Sequence, residues 1–194
     1  MQVMYPAVTL SQVPKYLRVA TTEEEFREIW KLRQAEFARA YPGLTEFSDD
    51  VHDGYACVLY SQNEKGQIVS TGRIAFDGPL GLPADKIIKS EIDRLRNSGL
   101  KVAELSKFAI SRAGWGVLPY YFYTYYEIAA AYKIDSVIFI SRDRYVGVYQ
   151  KTAGAKILLN DIGYNYGTNF KFSLLECRLS EMTPILLSHW GNNV

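Results

Sequence analysis

The sequence predicts an α/β fold in which helices flank a mixed central sheet. Strand-like and helix-like patterns alternate along the 194 residues, and no internal repeat or low-complexity linker separates them. A strand from Val102, a helix over about 118–132 and a strand over 136–141 make a β-α-β unit, which is typical of parallel pairing. Because 48% of the residues are hydrophobic, the chain can bury one sizeable core, so we expect residues 1–194 to form a single domain.

The N-terminal segment predicts a short strand followed by a long helix. Residues 16–20 favour the strand. Thr22 and Glu25 then have the spacing of a capping box, in which two side chains satisfy free backbone N–H groups at the start of a helix. We expect this helix to end near Tyr41-Pro42-Gly43. Its apolar residues recur at helical intervals: Phe26, Ile29, Trp30 and Phe37.

The later elements follow from the same kinds of signal. Residues 55–61 and 67–76 are strand-like and flank the turn sequence N-E-K-G, which predicts a β-hairpin. The tail from Pro184 favours no single element. The other expected elements are helices at 85–97 and 145–152 and strands at 156–159 and 170–179.

Composition argues against several classes of function. The net charge of +1 arises from interspersed charges, whereas nucleic-acid binders carry a basic stripe. The chain has two histidines and no G-x-S-x-G motif, which argues against hydrolase triads and zinc sites. Cys57 and Cys177 are far apart in strand-like runs, so we expect buried free thiols in a reducing compartment. No apolar run has the length or flanks of a signal peptide or membrane span, so the expected location is cytoplasmic.

The segment V-A-E-L-S-K-F-A-I-S-R-A-G-W-G, residues 102–116, is the strongest candidate for a site. Strand residues alternate between faces, so Glu104, Ser106 and Phe108 are expected on one side. The glycines that follow allow the backbone to approach a ligand. Pro119 suits the first turn of a helix, where free N–H groups attract phosphate. The segment therefore predicts a carboxylate, a strand edge and a phosphate-binding turn in one place.

Five segments in the same order resemble the Gcn5-related N-acyltransferase (GNAT) superfamily. Within it they resemble the branch that contains acyl-homoserine lactone synthases and long-chain N-acyl amino acid synthases. The resemblance covers about residues 20–160 and implies a GNAT-like fold, with splayed strands in the mixed sheet. The segments are Arg33 with Phe37 (L-R-x-x-x-F), Asp50 with Asp53 (paired aspartates), Ala56 after them, Gly72 with Arg73 (G-R), and Glu104 to Phe108 (E-x-S-R-F).

Departures from these motifs favour one activity within the branch. The turn S-R-A-G-W-G lacks the basic or amide residue that usually precedes its glycines, which disfavours free coenzyme A. The lactone synthases carry a tryptophan after the Arg-Phe pair, which packs around S-adenosylmethionine, and an arginine in the E-x-S-R-F strand. In this sequence the tryptophan's position falls near Gly43, and Lys107 stands in place of the arginine. Both departures disfavour S-adenosylmethionine as a substrate. The resemblance thus implies an N-acyl amino acid synthase that uses an acyl-phosphopantetheine thioester on an acyl carrier protein and has no tightly bound cofactor. Tyrosine is the first choice of acceptor. A lactone synthase and a silent acyl-chain or carrier-protein binding module stay open as alternatives.

Three residues are candidates for the chemistry of amide formation. An ammonium must lose a proton before it attacks a thioester, and Glu104 is the candidate base, since burial raises the pKa of a carboxyl toward working pH. The alternative is a buried ion pair with Arg73 or Lys107. Ile110 or a neighbour is expected to supply a backbone N–H to the tetrahedral intermediate. Tyr149, in a segment that resembles L-Y-x-x-x-G, is the candidate acid for the leaving thiolate, with plain packing as its alternative.

Further residues are candidates for binding the two substrates. The seven residues 120–126 include six aromatic ones, which indicates either an acyl tunnel or a helix covered on all sides. Asp50 and Asp53 could instead be ordinary loop residues, and Arg33 an ordinary surface or bridging residue of its helix. The acceptor candidates are Arg33, Phe37, Asp50, Asp53 and Arg73. The acyl and pantetheine candidates are Phe108, Ala109, Ser111, Arg112, Gly114 and Gly116.

Basic residues flank the expected phosphate-binding turn in the sequence. Carrier proteins are acidic, so a local basic patch would favour docking. A solvated surface is the equal alternative. The residues are Arg112, Arg142, Arg144, Lys151 and Lys156.

Overall fold

The computed structural model describes residues 16–42, 51–114, 116–162 and 169–182. The strands in these ranges are β1 (Arg18–Val19), β2 (Ala56–Gln62), β3 (Ile68–Phe76), β4 (Val102–Ile110), β5 (Ser136–Arg142), β6 (Lys156–Leu159) and β7 (Phe172–Arg178). The α-helices are α1 (Glu23–Ala40), α2 (Asp85–Asn97), α3 (Leu118–Ala131) and α4 (Asp143–Ala153). Two short 3-10 turns cover Val51–Tyr55 and Arg112–Gly114.

The strands form a mixed sheet in the order β1-β2-β3-β4-β5-β7-β6. β2 pairs antiparallel with both β1 and β3, whereas β4 and β5 are parallel neighbours connected by α3, as in a β-α-β unit. In the described register this parallel ladder joins Val102–Glu104 to Ser136–Ile138 and goes no further. The prediction of an α/β fold with splayed strands in a mixed sheet is confirmed.

The chain divides into two compact units. The first contains the described residues up to Ala75 together with Leu105–Thr124. Its core forms where α1 packs against the hairpin of β2 and β3, because the apolar face of the helix needs cover from water. The capping box predicted for Thr22 and Glu25 is present at the start of α1. The main core residues are Phe26, Ile29, Ala56, Val58, Tyr60 and Ala75.

The second unit contains Phe76–Glu104 and the described residues from Tyr125 onward. Its core forms where the apolar face of α2 packs against β4, β5 and β7. The prediction that residues 1–194 form a single domain stays a prediction. The main core residues are Leu82, Ile88, Ile92, Leu95, Val102, Ile138 and Leu174.

Most predicted boundaries are close to the observed ones. α2 and β6 begin and end where the sequence patterns place them, and the strands of the hairpin are nearly as expected. The strand expected at 16–20 is reduced to Arg18–Val19, and α4 begins at Asp143, earlier than expected. The tail from Pro184 lies outside the described residues.

Strand β4 departs from the regular alternation predicted for it. Lys107 has a φ of 55°, in the left-handed region, within the strand. A residue in this conformation interrupts the two-residue repeat of side-chain directions, as a bulge does. The shared face predicted for Glu104, Ser106 and Phe108 therefore does not extend past Lys107.

Both cysteines are buried and free, as predicted. Desolvation raises the pKa of each thiol, Cys57 and Cys177, to about 12, so neither is a reactive thiolate near neutral pH. None of the helices in the described ranges is long and apolar enough to cross a membrane.

Candidate active site

A buried group of polar and charged side chains lies in the first unit. Asp53, in the 3-10 turn before β2, is at its centre and is 2% exposed. Its Oδ2 accepts hydrogen bonds from Arg33 Nη1 at 2.5 Å and from Trp30 Nε1 at 3.0 Å. Its Oδ1 accepts one from Arg73 Nη1 at 2.9 Å. Both arginines are 0% exposed. We call these four residues the Asp53 cluster.

The four members of the Asp53 cluster come from three parts of the sequence, since Asp53 lies in the 3-10 turn Val51–Tyr55. Trp30 and Arg33 are three residues apart on α1, so their side chains lie on one face of the helix. Arg73 lies within β3, where it pairs with Val58 of β2. Charge-assisted hydrogen bonds compensate part of the cost of removing these ions from water. The cluster therefore ties α1, the 3-10 turn and β3 together.

The structure brings together three of the five predicted acceptor-binding residues. Arg33, Asp53 and Arg73 bind one another, and all three are buried. Phe37 is half-buried, and its ring lies 6.3 Å from that of Tyr41. Asp50 lies outside the described residues. A role for the remaining four in binding the acceptor stays a prediction.

Arg73 also connects the Asp53 cluster to β4. Its Nε donates to Ser106 Oγ at 3.0 Å. Trp30 and Ser106 were not among the predicted binding residues, although both make polar contacts in this group. The spacing of Trp30 from Arg33 along α1, and the serine of the E-x-S-R-F segment, were the signals that could have identified them.

Glu104, the candidate base, is buried in β4 with 4% of the residue exposed. Its Oε2 accepts a hydrogen bond from the backbone N–H of Ala84 at 2.7 Å. Ala84 directly precedes α2 and is itself 1% exposed. A backbone N–H that donates to a carboxylate stabilises its ionised form, which is the form that a general base needs.

Gly114 and Gly116, in the turn after β4, are required for two different structural reasons. A Cβ on Gly114 would lie 2.6 Å from the carbonyl oxygen of Val69 in β3, so only glycine allows this approach. Gly116 has a φ of 96°, which glycine adopts without strain. Ser111 donates its backbone N–H to Val69 O at 2.9 Å, so that donor is already engaged.

The other pantetheine candidates lie beside this turn. Ala109 is buried, Phe108 and Ile110 are half-buried, and Arg112 is exposed. The roles predicted for these residues, and the N–H donor predicted at Ile110, stay predictions.

The aromatic helix α3 is covered along its aromatic run. None of residues 120–126 is exposed. In the first unit, the ring of Tyr121 packs edge-on against that of Phe108, 5.0 Å away, and its hydroxyl lies 2.9 Å from Ser70 Oγ. Burial raises the pKa of this hydroxyl well above its usual range, so it stays protonated. Both interpretations of residues 120–126, as the wall of an acyl tunnel and as a helix covered on all sides, require such burial.

Tyr149, the candidate acid, is half-buried on α4. Its ring meets the ring of Phe139 on β5 edge-on, with a centroid separation of 5.0 Å. This contact accounts for the position of the ring and leaves the role of the hydroxyl open to test. No group of three His, Cys, Asp or Glu side chains that could hold a metal ion occurs in the described ranges.

The predicted basic patch is only partly on the surface. Arg112, Arg144 and Lys151 are exposed, and exposed Lys156 forms an ion pair with Glu181. Arg142 is different, because it is 6% exposed and its guanidinium lies 3.7 Å from the centre of the Phe170 ring. The prediction that Arg142 forms part of an exposed patch is therefore wrong. The side chain is desolvated against an aromatic face, a common arrangement for arginine.

An open groove of about 750 Å³ lies elsewhere in the first unit, between α1 and the hairpin of β2 and β3. Its walls include the charged residues Glu24, Glu28 and Lys31 and the amides of Gln62 and Gln67. It contains none of the predicted site residues, and its polar lining does not suit an acyl chain.

Comparison with known proteins agrees with this arrangement of motifs. The family model described as N-acyl amino acid synthase FeeM matches residues 28–178. The chain belongs to the FeeM family of N-acyl amino acid synthases. A search of curated proteins found no match.

Solved structures place the fold of this FeeM-family chain among acyltransferases. FeeM, an N-acyl amino acid synthase from uncultured soil microbes, is 20% identical, with a TM-score of 0.71 over 87% of this chain and 93% of its own. The coenzyme A-dependent acyl-homoserine lactone synthase BjaI is 14% identical, with a TM-score of 0.62 over 91% and 89%. Ribosomal-protein-alanine N-acetyltransferase from Brucella melitensis is 15% identical, with a TM-score of 0.57 over 84% and 98%. The fold is GNAT-like, as the sequence motifs implied.

Proposed function

We propose that this FeeM-family chain transfers a long-chain acyl group from the phosphopantetheine thioester of an acyl carrier protein to the amino group of an amino acid. Tyrosine is the favoured acceptor. The observation that carries the proposal is Glu104, a carboxylate buried in β4 and held by the backbone N–H of Ala84. A buried, oriented carboxylate at this point in the sequence is what proton removal from an ammonium requires.

The reaction follows from the roles assigned to three groups. Glu104 takes a proton from the acceptor's ammonium, directly or through a water molecule, and the free amine attacks the thioester carbonyl carbon. A new C–N bond forms, and the oxyanion accepts a hydrogen bond from the backbone N–H of Ile110 or a neighbour. The C–S bond then breaks. The departing thiolate takes a proton from Tyr149, the surplus proton on the attacking nitrogen returns to that tyrosine through solvent, and Glu104 releases its proton to solvent. The products are an N-acyl amino acid and the free phosphopantetheine thiol.

The residues after Glu104 are assigned to the donor substrate. The turn from Ser111 to Gly116 and the strand residues Phe108 and Ala109 would bind the pantetheine arm and the start of the acyl chain. The wall of α3 would cover the rest of that chain, since each buried methylene contributes about 0.8 kcal/mol. Arg33, Phe37, Asp50, Asp53 and Arg73 are assigned to the acceptor side.

Expression in a bacterium tests the proposed function, because the host supplies its own acyl carrier protein thioesters and amino acids. Organic extracts are compared by mass spectrometry between cells that make the wild-type chain, cells that make Glu104→Gln and cells with empty vector. We expect long-chain N-acyl amino acids, N-acyl tyrosine first among them, only with the wild type. Acyl-homoserine lactones would indicate the lactone synthase instead. A folded chain that yields neither product but binds acyl ligands tightly would be a silent binding module.

A further inference from the structure

Arg96, in the last turn of α2, binds three carboxylates at once. Its Nη1 and Nη2 donate to the two oxygens of Asp85 at 2.8 and 2.7 Å. Its Nε and Nη2 donate to Asp77 at 2.6 and 2.8 Å, and its Nη1 also donates to Asp93 at 2.8 Å. All five N–H groups of the guanidinium are thereby used. We call these four residues the Arg96 clamp.

The Arg96 clamp holds both ends of the segment that connects β3 to α2. Asp77 directly follows β3, and Asp85 is the first residue of α2. Within the segment, Leu82 donates its backbone N–H to Asp85 Oδ2 at 2.7 Å. Gly81 has a φ of 66°, and a Cβ there would lie 2.4 Å from the same oxygen. The segment is therefore fitted closely around the carboxylate that Arg96 binds.

Ala84, the donor to Glu104, lies inside the clamped segment. We propose that Arg96 is a positioning residue for Glu104: the Arg96 clamp fixes the direction of the Ala84 N–H, and that N–H fixes the carboxylate. This inference rests on the proposed function, in which Glu104 is the base. Misorientation of a catalytic group lowers the rate even when the substrates still bind.

The pKa shifts within the Arg96 clamp favour the charged forms of its residues. Burial alone would raise the pKa of Asp85, but the hydrogen bonds from Arg96 and Leu82 outweigh it and hold that pKa below its ordinary value. Asp85 and Asp77 in turn raise the pKa of Arg96. Apolar packing of Leu82 and Ala84 also holds the segment, so the experiment must separate orientation from packing.

Two variants loosen the clamp in different ways. Arg96→Met removes the guanidinium that binds the three carboxylates. Asp77→Asn removes one of those carboxylates and leaves no surplus negative charge. This second variant keeps the test usable if Arg96→Met folds poorly. Arg94→Met is the matched control, since Arg94 lies on the same helix and its ion pair with Glu91 is outside the clamp. We expect both clamp variants to lower kcat about 10-fold with KM for both substrates unchanged, and the control to match the wild type.

The amide resonance of Ala84 gives a second readout that does not depend on turnover. Glu104→Gln removes the charged acceptor and should move this ¹H–¹⁵N signal. We expect Arg96→Met and Asp77→Asn to move it in the same direction. An unmoved signal, or an unchanged kcat, would overturn the inference. If the signal moves but the wild type makes no N-acyl amino acid, the positioning contact is real while the proposed function, and with it the catalytic meaning of the clamp, is refuted.

Discussion

Glu104 and Glu176 are both buried carboxylates, and each is 4% exposed. Glu176 on β7 accepts hydrogen bonds from Ser136 Oγ at 2.7 Å and Arg178 Nε at 3.1 Å. Glu104 on β4 accepts a hydrogen bond from the backbone N–H of Ala84 at 2.7 Å. The two residues therefore make a matched pair in which burial is the same and the assigned role differs.

Replacing each carboxylate by its amide separates catalysis from packing. We expect Glu104→Gln to lower kcat about 100-fold with little change in Tm, because a general base contributes about that factor or more. Glu176→Gln should lower Tm and leave kcat unchanged, since it weakens a structural ion pair. Steady-state kinetics and thermal unfolding of both variants give the comparison. Equal kcat in Glu104→Gln and the wild type would rule out Glu104 as the base.

Tyr149 offers a similar separation of ring from hydroxyl. Tyr149→Phe keeps the edge-on contact with Phe139 and removes only the proton donor. We expect kcat to fall about 100-fold, because the thiolate then leaves without a proton. Tyr132→Phe is the control, since Tyr132 is also half-buried and its ring also packs against a phenylalanine, Phe76. If the two variants turn over equally fast, the Tyr149 ring is there for packing.

At the scale of elements, the Asp53 cluster is a buried polar connection between the described elements of the first unit. It joins α1, the 3-10 turn, β3 and, through Ser106, β4. Its charges are buried, so its members depend on one another far more than surface ion pairs do.

Asp53→Asn should be strongly destabilising. The substitution keeps the shape but leaves two buried arginines without the charge of their shared carboxylate, which we expect to cost about 3 kcal/mol of unfolding free energy. Lys31→Met removes the exposed pair of Lys31 with Glu28 on the same helix and should change stability by less than about 0.5 kcal/mol. Denaturant unfolding measures both. A loss for Asp53→Asn as small as that control would contradict the buried-network account.

Local signals in the sequence predicted the elements well, and contacts between distant segments much less well. The capping box of Thr22 and Glu25 marked the start of α1 because both partners lie within one turn. Arg142 was wrongly expected on the surface, because the aromatic ring that covers it comes from a distant residue, Phe170. The left-handed Lys107 gave no signal, since lysine rarely adopts that conformation.

The same limit applies to the candidate site. The family motifs identified Arg33, Asp53 and Arg73, but their pairing with one another depends on how helix and strand pack. The motif also identified Glu104. The hydrogen bond from Ala84 could not be predicted, because its donor is a backbone N–H and alanine has no polar side chain. Backbone donors of this kind are visible only once the fold is known.

At the scale of the whole molecule, the net charge of +1 gives no general attraction to an acidic carrier protein, so docking would depend on a local surface. Helix α4 offers one in the second unit. Arg144 and Lys151 are exposed and seven residues apart, which places them on one helix face. Val148, 45% exposed, lies on the same face, and the ring of Tyr145, 42% exposed, lies beneath the Arg144 guanidinium. An apolar centre with basic ends suits an acidic partner.

Charge reversal on α4 tests this docking surface. We expect Arg144→Glu combined with Lys151→Glu to raise KM for the acyl carrier protein thioester about 10-fold and to leave kcat unchanged. The wild type should lose affinity for the same donor as salt is added. Lys65→Glu, in the exposed hairpin turn, serves as the control. Donor affinity that is independent of both salt and these charges would remove α4 from the docking account.

The most direct test of the central claim uses purified protein with a long-chain acyl thioester on acyl carrier protein and a mixture of amino acids, with products identified by mass spectrometry. The same thioester on coenzyme A is the parallel donor. The account predicts a long-chain N-acyl amino acid, N-acyl tyrosine foremost, formed from the carrier protein thioester by the wild type and nearly absent with Glu104→Gln. Folded wild-type protein that forms no N-acyl amino acid from either donor would contradict it.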